Sequence, residues 1–189
     1  MADWTGNNIK LSIFGTSHGP YIGASIDGLP AGIKVNEDSI RKALSLRRPG
    51  GKISTARVEQ DEFEIISGVF NGYTSGDCLT VIIANSDTRS KDYSELKIKP
   101  RPSHADYSAN VKYDGFNDYR GGGHFSGRLT AAIVALCAII RDVLSFKGIT
   151  VGSHIRSIGE IEDDRLSFKK EELDYLNEQY FAVLNEETK

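Results

Sequence analysis

Apolar and polar residues alternate along Ile9-Lys10-Leu11-Ser12-Ile13-Phe14, the period-two signature of a strand with one buried face. Gly15-Thr16-Ser17-His18-Gly19-Pro20 follows, a turn by composition, and Tyr21 to Ile26 reads as a second strand, closed by Asp27-Gly28-Leu29-Pro30-Ala31-Gly32. The pattern then changes to helical spacing over Asn36 to Arg47. Asn36 stands at the N-cap, acids fill the first turn, bases fill the last, and Pro49-Gly50-Gly51 ends the helix. Phe63 to Val69 and Leu79 to Ala84 read as strands joined by the turn Asn71-Gly72-Tyr73-Thr74-Ser75-Gly76, and Asn85 to Lys99 is a polar connection. Beyond Pro100-Arg101-Pro102, Ser103 is placed to cap a short helix reaching about Tyr113, with His104 in its first turn.

Gly121-Gly122-Gly123-His124-Phe125-Ser126-Gly127-Arg128-Leu129-Thr130 leads into the apolar run Ala131 to Ile140. The run predicts a helix starting near Ser126 and buried on most sides. It is too short to span a bilayer, and no other stretch is longer. Gly148 suits a helix stop, Ile149 to Ile158 reads as a strand, and a last helix starts at Ser167 with a stripe at Leu173, Leu176, Tyr180 and Leu184. That pattern reaches Lys189 without a cap, as in a helix cut short. No repeat, low-complexity segment or linker divides the chain, so residues 1–189 read as one domain.

Composition narrows the class. The chain has 189 residues, of which 39% are hydrophobic and 26% charged, enough for an ordinary core. The start, Met1-Ala2-Asp3-Trp4-Thr5-Gly6, lacks a signal-peptide pattern. Cys78 and Cys137 lie in apolar runs without metal-ligand spacing, and the expectation is two buried free thiols in a reducing, cytoplasmic setting with no metal. The net charge of −3 conceals an asymmetry. Residues 1–158 carry 19 Lys/Arg and 16 Asp/Glu, whereas residues 159–189 carry 4 and 10. Arg41, Lys42, Arg47, Arg48, Lys52 and Arg57 form a stretch without an acid. A pocket for a small anion accounts for it more simply than nucleic acid, because the rest of the chain is not basic.

The chemistry-bearing candidates follow. A Gly-rich turn opening a helix offers free backbone N–H groups and a partial positive charge, and Arg128 adds a full one, which makes an anion site. The local alternative is a loop running into a core helix with nothing bound. His18 and His104 are either solvated surface residues or titratable groups held by tight turns.

In combination these motifs resemble the chorismate synthase family. Phe14-Gly15-Thr16-Ser17-His18-Gly19, running on to Asp27–Gly32, is similar to the family's first signature, and Arg47-Arg48-Pro49-Gly50 to its arginine loop. Ser67-Gly68-Val69-Phe70-Asn71-Gly72, Arg101-Pro102-Ser103-His104-Ala105-Asp106-Tyr107 and Arg120-Gly121-Gly122-Gly123 through Ala131 match further blocks, in family order over about residues 9–145. The resemblance implies an α+β fold: an antiparallel sheet packed on long central helices, half of the family's β-α-β sandwich, which assembles as a homotetramer. It implies the anti-1,4 elimination of phosphate from 5-enolpyruvylshikimate-3-phosphate to give chorismate. The reaction uses reduced FMN without net redox change, and NADPH is a possible external reductant.

It also implies roles. His18 protonates the leaving phosphate, His104 lies by the flavin, and Ser17 and Ser126 relay protons. His104, His124, Phe125, Ser126, Gly127 and Arg128 match the flavin-contacting positions, and Arg47, Arg48, Lys52 and Arg57 hold the substrate phosphate. The chain departs from the family pattern at Thr16, where Glu is common, at His124-Phe125, where Arg-Ser is common, and at Leu129, where an acid is common. The arginine loop is shorter, and Lys52 stands near an expected arginine, keeping charge without the bidentate fork. The length is that of the N-terminal half of a family member. The other half brings much of the FMN site and an aspartate acting in proton removal, so this chain alone is expected to be inactive. The alternative reading is a non-catalytic flavin- and phosphate-binding or assembly module derived from the family.

Overall fold

The computed structural model describes residues 2–49, 60–86 and 98–188. Its centre is a five-stranded antiparallel sheet built from β1 (Ala2–Thr5), β2 (Lys10–Gly15), β3 (Tyr21–Asp27), β4 (Phe63–Ser67) and β7 (Leu79–Ala84). Their spatial order is β1-β2-β3-β7-β4. The fold is thus the α+β arrangement that the resemblance implies. Alternation decides which way the sheet faces. Ile22, Ala24 and Ile26 of β3 and Leu79, Val81 and Ile83 of β7 point to one side and are fully or almost fully buried. Their registers pair Ile22 with Ile83 and Ala24 with Val81. β1 is an edge strand that the polar composition of the N-terminus concealed; it pairs with β2 from Ala2–Ile13 to Thr5–Lys10.

Two helices cover the apolar face. α1 (Glu37–Arg47) begins as its pattern predicts, with the Asn36 side chain accepting from the Asp38 N–H, and it buries Ile40 and Leu44. α3 (Thr130–Phe146) buries Ala131, Ala132, Ala135, Leu136, Ala138 and Ile139. The small residues let α3 lie close to β3 and β7, and α1 packs alongside α3. Each large aliphatic side chain buried here contributes about 1.5–3 kcal/mol.

Several expectations need correction. α3 is not buried on most sides: its other face carries Cys137, which is exposed, and Phe146 is 94% exposed. Both cysteines are free and exposed rather than buried, because Cys78 precedes the first inward residue of β7 and Cys137 lies opposite the alanine face of α3. Counted with the 3₁₀ turn before it, the central helix runs 20 residues, Gly127–Phe146, long and apolar enough to cross a membrane by length and composition. Here its apolar face is covered by the sheet and α1 instead.

The segment Phe63 to Val69 is not one strand. Gly68 takes a φ of +81° with its backbone against Leu79, which separates β4 from the small hairpin β5 (Val69–Phe70) and β6 (Tyr73–Thr74). Asn71 and Gly72, both at positive φ, form that hairpin's turn. Ser103 does not cap a helix. It lies at φ +62°, and α2 (Asp106–Lys112) starts after Ala105 without a side-chain cap. The turn before α2 is closed by Asp106, whose carboxylate accepts from the Arg101 backbone and, bidentately, from its guanidinium. Of Ile149 to Ile158 only β8 (Ser157–Ile158) is a strand, paired with β9 (Ile161–Glu162). The final helix α4 (Lys170–Glu178) stops before Tyr180 and Leu184 and does not continue to the end of the chain.

Candidate active site

The turn after β2 and the triple-glycine segment meet at the end of the sheet. Ser17 is fully buried and His18 is 8% exposed. The Ser17 N–H donates to the Gly123 carbonyl at 3.1 Å, and the Ser17 hydroxyl to the carbonyl of Gly121 at 3.1 Å or Arg120 at 3.3 Å. His18 Nδ1 lies 3.0 Å from the same hydroxyl. A hydroxyl has one proton. If the carbonyls take it, the network assigns Nδ1–H as the donor to Ser17 Oγ.

Gly121, Gly122 and Gly123 have φ of +57°, +84° and +56°, so the segment doubles back in a way that residues with a Cβ rarely adopt. At Gly121 the requirement is twofold, since a Cβ there would lie 2.3 Å from His18 Cε1. Thr16 Oγ1 donates to Asp118 Oδ2 at 3.0 Å. Asp118 also accepts from the Arg120 guanidinium through both its oxygens. Burial pushes the Asp118 carboxyl up, but the hydrogen bonds from Arg120 and Thr16 outweigh it and hold the carboxyl below its ordinary value.

The arginines form the second part of the site. Arg128 is 6% exposed. Its Nη1 pairs with Asp61 Oδ1, its Nε donates to Asn85 Oδ1 at 3.1 Å, and its Nη2 reaches the Ala84 carbonyl at 3.4 Å. Arg47 Nη1 lies 3.4 Å from Asp61 Oδ2 and Arg48 Nε 4.0 Å from the same oxygen. Arg47 also donates to Thr130 Oγ1 at 3.4 Å and to the Gly127 carbonyl at 3.3 Å, which ties the end of α1 to the start of α3. Asn85 joins the two parts: its amide donates to the Thr16 carbonyl at 3.0 Å and the Gly19 carbonyl at 2.8 Å, across the turn that carries His18. Ser126 Oγ accepts from the Arg128 N–H at 3.3 Å and caps the 3₁₀ turn Gly127–Leu129 that precedes α3.

A third part is aromatic. His124 and Phe125 stack with centroids 4.1 Å apart, and Tyr113 meets the His124 ring edge-on at 5.3 Å, with its hydroxyl 3.3 Å from Nε2. Together with Phe14, Thr16 and Lys112 they line a cleft of about 510 Å³. Burial pushes the His124 imidazole below its ordinary value, and the charge of Lys112 adds to this.

The structure therefore gathers Ser17, His18, Ser126, Gly127, Arg128, Arg47 and Arg48, with His124 and Phe125 forming one wall of the cleft beside Thr16. Lys52 and Arg57 lie outside the described residues. His104 is exposed and precedes α2 rather than occupying its first turn; its Nδ1 contacts the Pro102 carbonyl at 3.0 Å, and no described contact links it to His18. The sequence reading missed Asp61, Asn85 and Asp118. The one trace of Asp61 is its place in the acid-rich run Glu59-Gln60-Asp61-Glu62, directly after the basic stretch.

The family model for chorismate synthase matches residues 9–189. The chain belongs to the chorismate synthase family. The chorismate synthase of Pyrococcus abyssi is 44% identical over 165 residues, 87% of this chain and 46% of that protein. That of Aeropyrum pernix is 48% identical over 160 residues, 85% and 42% of the two chains. A solved structure described as a crystal structure of chorismate synthase superposes with a TM-score of 0.67 at 28% identity, covering 95% of this chain and 49% of that one. The chain thus spans less than half the length of these curated relatives.

Proposed function

We propose that this chain supplies the leaving-group acid and the phosphate-binding arginines for the conversion of 5-enolpyruvylshikimate-3-phosphate to chorismate. The observation that supports this most directly is His18, held by Ser17 against Gly121 and joined through Asn85 to the arginine cluster. In the reaction the C–O bond to phosphate breaks, a C6 proton leaves, and a diene forms. The departing phosphate carries two charges, which Arg47 and Arg48 meet with a well-matched fork of donors. The imidazolium form of His18, with its Nδ1–H given to Ser17, passes the Nε2 proton to the leaving phosphate and is left as the neutral ring. Removal of the C6 proton is assigned to no residue of this chain.

The aromatic cleft fits a flavin. Tyr113, His124 and Phe125 offer an aromatic wall for a ring to pack on, and Ser126, Gly127 and Arg128 stand at the adjoining 3₁₀ turn. Reduced FMN, when bound, supplies an electron-rich ring beside the substrate without net redox change. A flavin-proximal role for His104 rests on the motif alone. NADPH as reductant, a homotetramer and a cytoplasmic setting belong to the same reading.

The test is FMN binding to the 189-residue chain by anaerobic fluorescence quenching, oxidised and reduced, with and without the phosphorylated substrate. Micromolar binding that tightens with substrate supports the reading. Failure of the substrate to bind in either state overturns it.

A further inference from the structure

The Arg47, Arg48 and Arg128 guanidiniums share one carboxylate, Asp61, whose side chain is fully buried. Side-chain exposure rises outward from it, 4% for Arg128, 21% for Arg47 and 38% for Arg48. The carboxylate is at the base, and the cations fan toward solvent. One negative charge beneath three positive ones leaves the group two charges in excess, enough to meet a phosphate dianion. Arg48 Nε is buried without a hydrogen-bond partner among the described residues and faces Asp61 Oδ2 at the outer limit of an ion pair, 4.0 Å. A cleft of about 490 Å³ lined by Arg41, Lys42, Arg48, Asp61, Glu62 and Phe63 opens beside Arg48. Asp61 takes φ +52°, a left-handed conformation that Asp and Asn tolerate and most residues do not, so the chain bends there to turn the carboxylate inward.

We infer that Asp61 is a positioning residue: its carboxylate sets the directions of the Arg47 and Arg48 guanidiniums so that their outer donors converge on the phosphate. The inference rests on the phosphate-binding reading of those arginines. It makes a prediction that simple charge counting reverses. Neutralising a carboxylate near an anion site tightens anion binding if only Coulomb attraction matters. If the carboxylate holds the arginines in place, neutralising it lets them repel one another and binding weakens.

The experiment titrates the purified chain with inorganic phosphate by calorimetry and follows arginine Nε–H signals by NMR. Asp61→Asn keeps the shape and tolerates positive φ, and Asp61→Glu keeps the charge but moves it by one methylene. Loss of a charge-assisted hydrogen-bond network is expected to weaken phosphate binding about tenfold or more in both variants. Unchanged or tighter binding by Asp61→Asn, or wild-type binding by Asp61→Glu, overturns the inference, as does a wild-type chain that binds no phosphate. If both variants fail to fold, the wild-type spectra decide. Phosphate must shift the Arg47 and Arg48 Nε–H signals together, and shifts confined to other arginines overturn the inference. Phosphate binding of the expected kind, with 5-enolpyruvylshikimate-3-phosphate bound no tighter than phosphate, would refute the chorismate synthase reading while leaving the role of Asp61 in place.

Discussion

Gly121→Ala tests how the triple-glycine segment supports His18. A Cβ at this position would lie 2.3 Å from His18 Cε1, 2.4 Å from Nδ1 and 2.8 Å from Ser17 Oγ. The imidazole cannot swing aside cheaply, since it is nearly buried and held by Ser17. Two costs combine. The left-handed backbone costs an alanine about 1–2 kcal/mol, and overpacking against a confined ring adds about 1–3 kcal/mol. The sum, roughly 2–5 kcal/mol, lowers Tm by about 10 °C in a chain of this length. Gly122→Ala is the internal control: its φ is +84°, but the nearest atom to its Cβ is Ser126 Cβ at 4.0 Å, so it pays only the backbone cost. That predicts a loss of about 1–2 kcal/mol and a few degrees. Thermal and urea denaturation of both variants, with the His18 Cε1–H signal followed by NMR, make the comparison. Equal losses for the two variants, or an unshifted His18 signal in Gly121→Ala, would refute the packing argument.

Two further outcomes are expected. Asp163, 5% exposed, accepts from His154 Nε2 at 2.8 Å and from the Leu184 and Asn185 N–H groups at 2.6 and 2.9 Å. Asp163→Asn removes one acceptor oxygen from this buried network at a cost of about 1–3 kcal/mol, and hydrogen exchange at Leu184 and Asn185 should accelerate while β3 and β7 stay protected; unchanged exchange at those two amides counts against the contact. Acid should destabilise the fold in two steps. The Asp106 carboxyl is lowered by its Arg101 hydrogen bonds and that of Asp118 by Arg120 and Thr16, whereas His124 is lowered by burial. Each group binds fewer protons folded than unfolded in its window, so stability is lost as pH falls: gently below the ordinary histidine value of 6.5 and more steeply below the ordinary aspartate value of 3.8. A Tm that stays level from pH 7 to pH 3 would contradict both steps.

Local patterns were enough for elements whose fate is decided locally. The alternation in β3 and β7, the Asn36 cap of α1 and the long apolar run of α3 each appear in the chain much as they appear in the fold. Elements that depend on a distant partner were misread. β1 is a strand because β2 lies beside it, not because of its own residues. Ser103 lost its capping role to an Arg101–Asp106 pair, and Ile149 to Ile158 found no sheet to join beyond β8 and β9.

The site divides in the same way. The motifs alone marked His18, Ser17, Ser126, the triple glycine and the arginines, and they pointed to the family, because those residue types recur in a fixed order along the chain. What the arginines bind to, and what holds His18, was decided only in three dimensions. Asn85 opens a polar connection like any other, and the acid-rich run Glu59–Glu62 does not say which of its members turns inward as Asp61 does. Asp61 and Asn85 become the counter-ion and the bridge of the site because the fold buries them beside guanidiniums and carbonyls that need partners. Sequence determined which chemistry the chain carries; tertiary structure decided which side chains orient it, since a buried charge acquires its partner only when distant segments close around it.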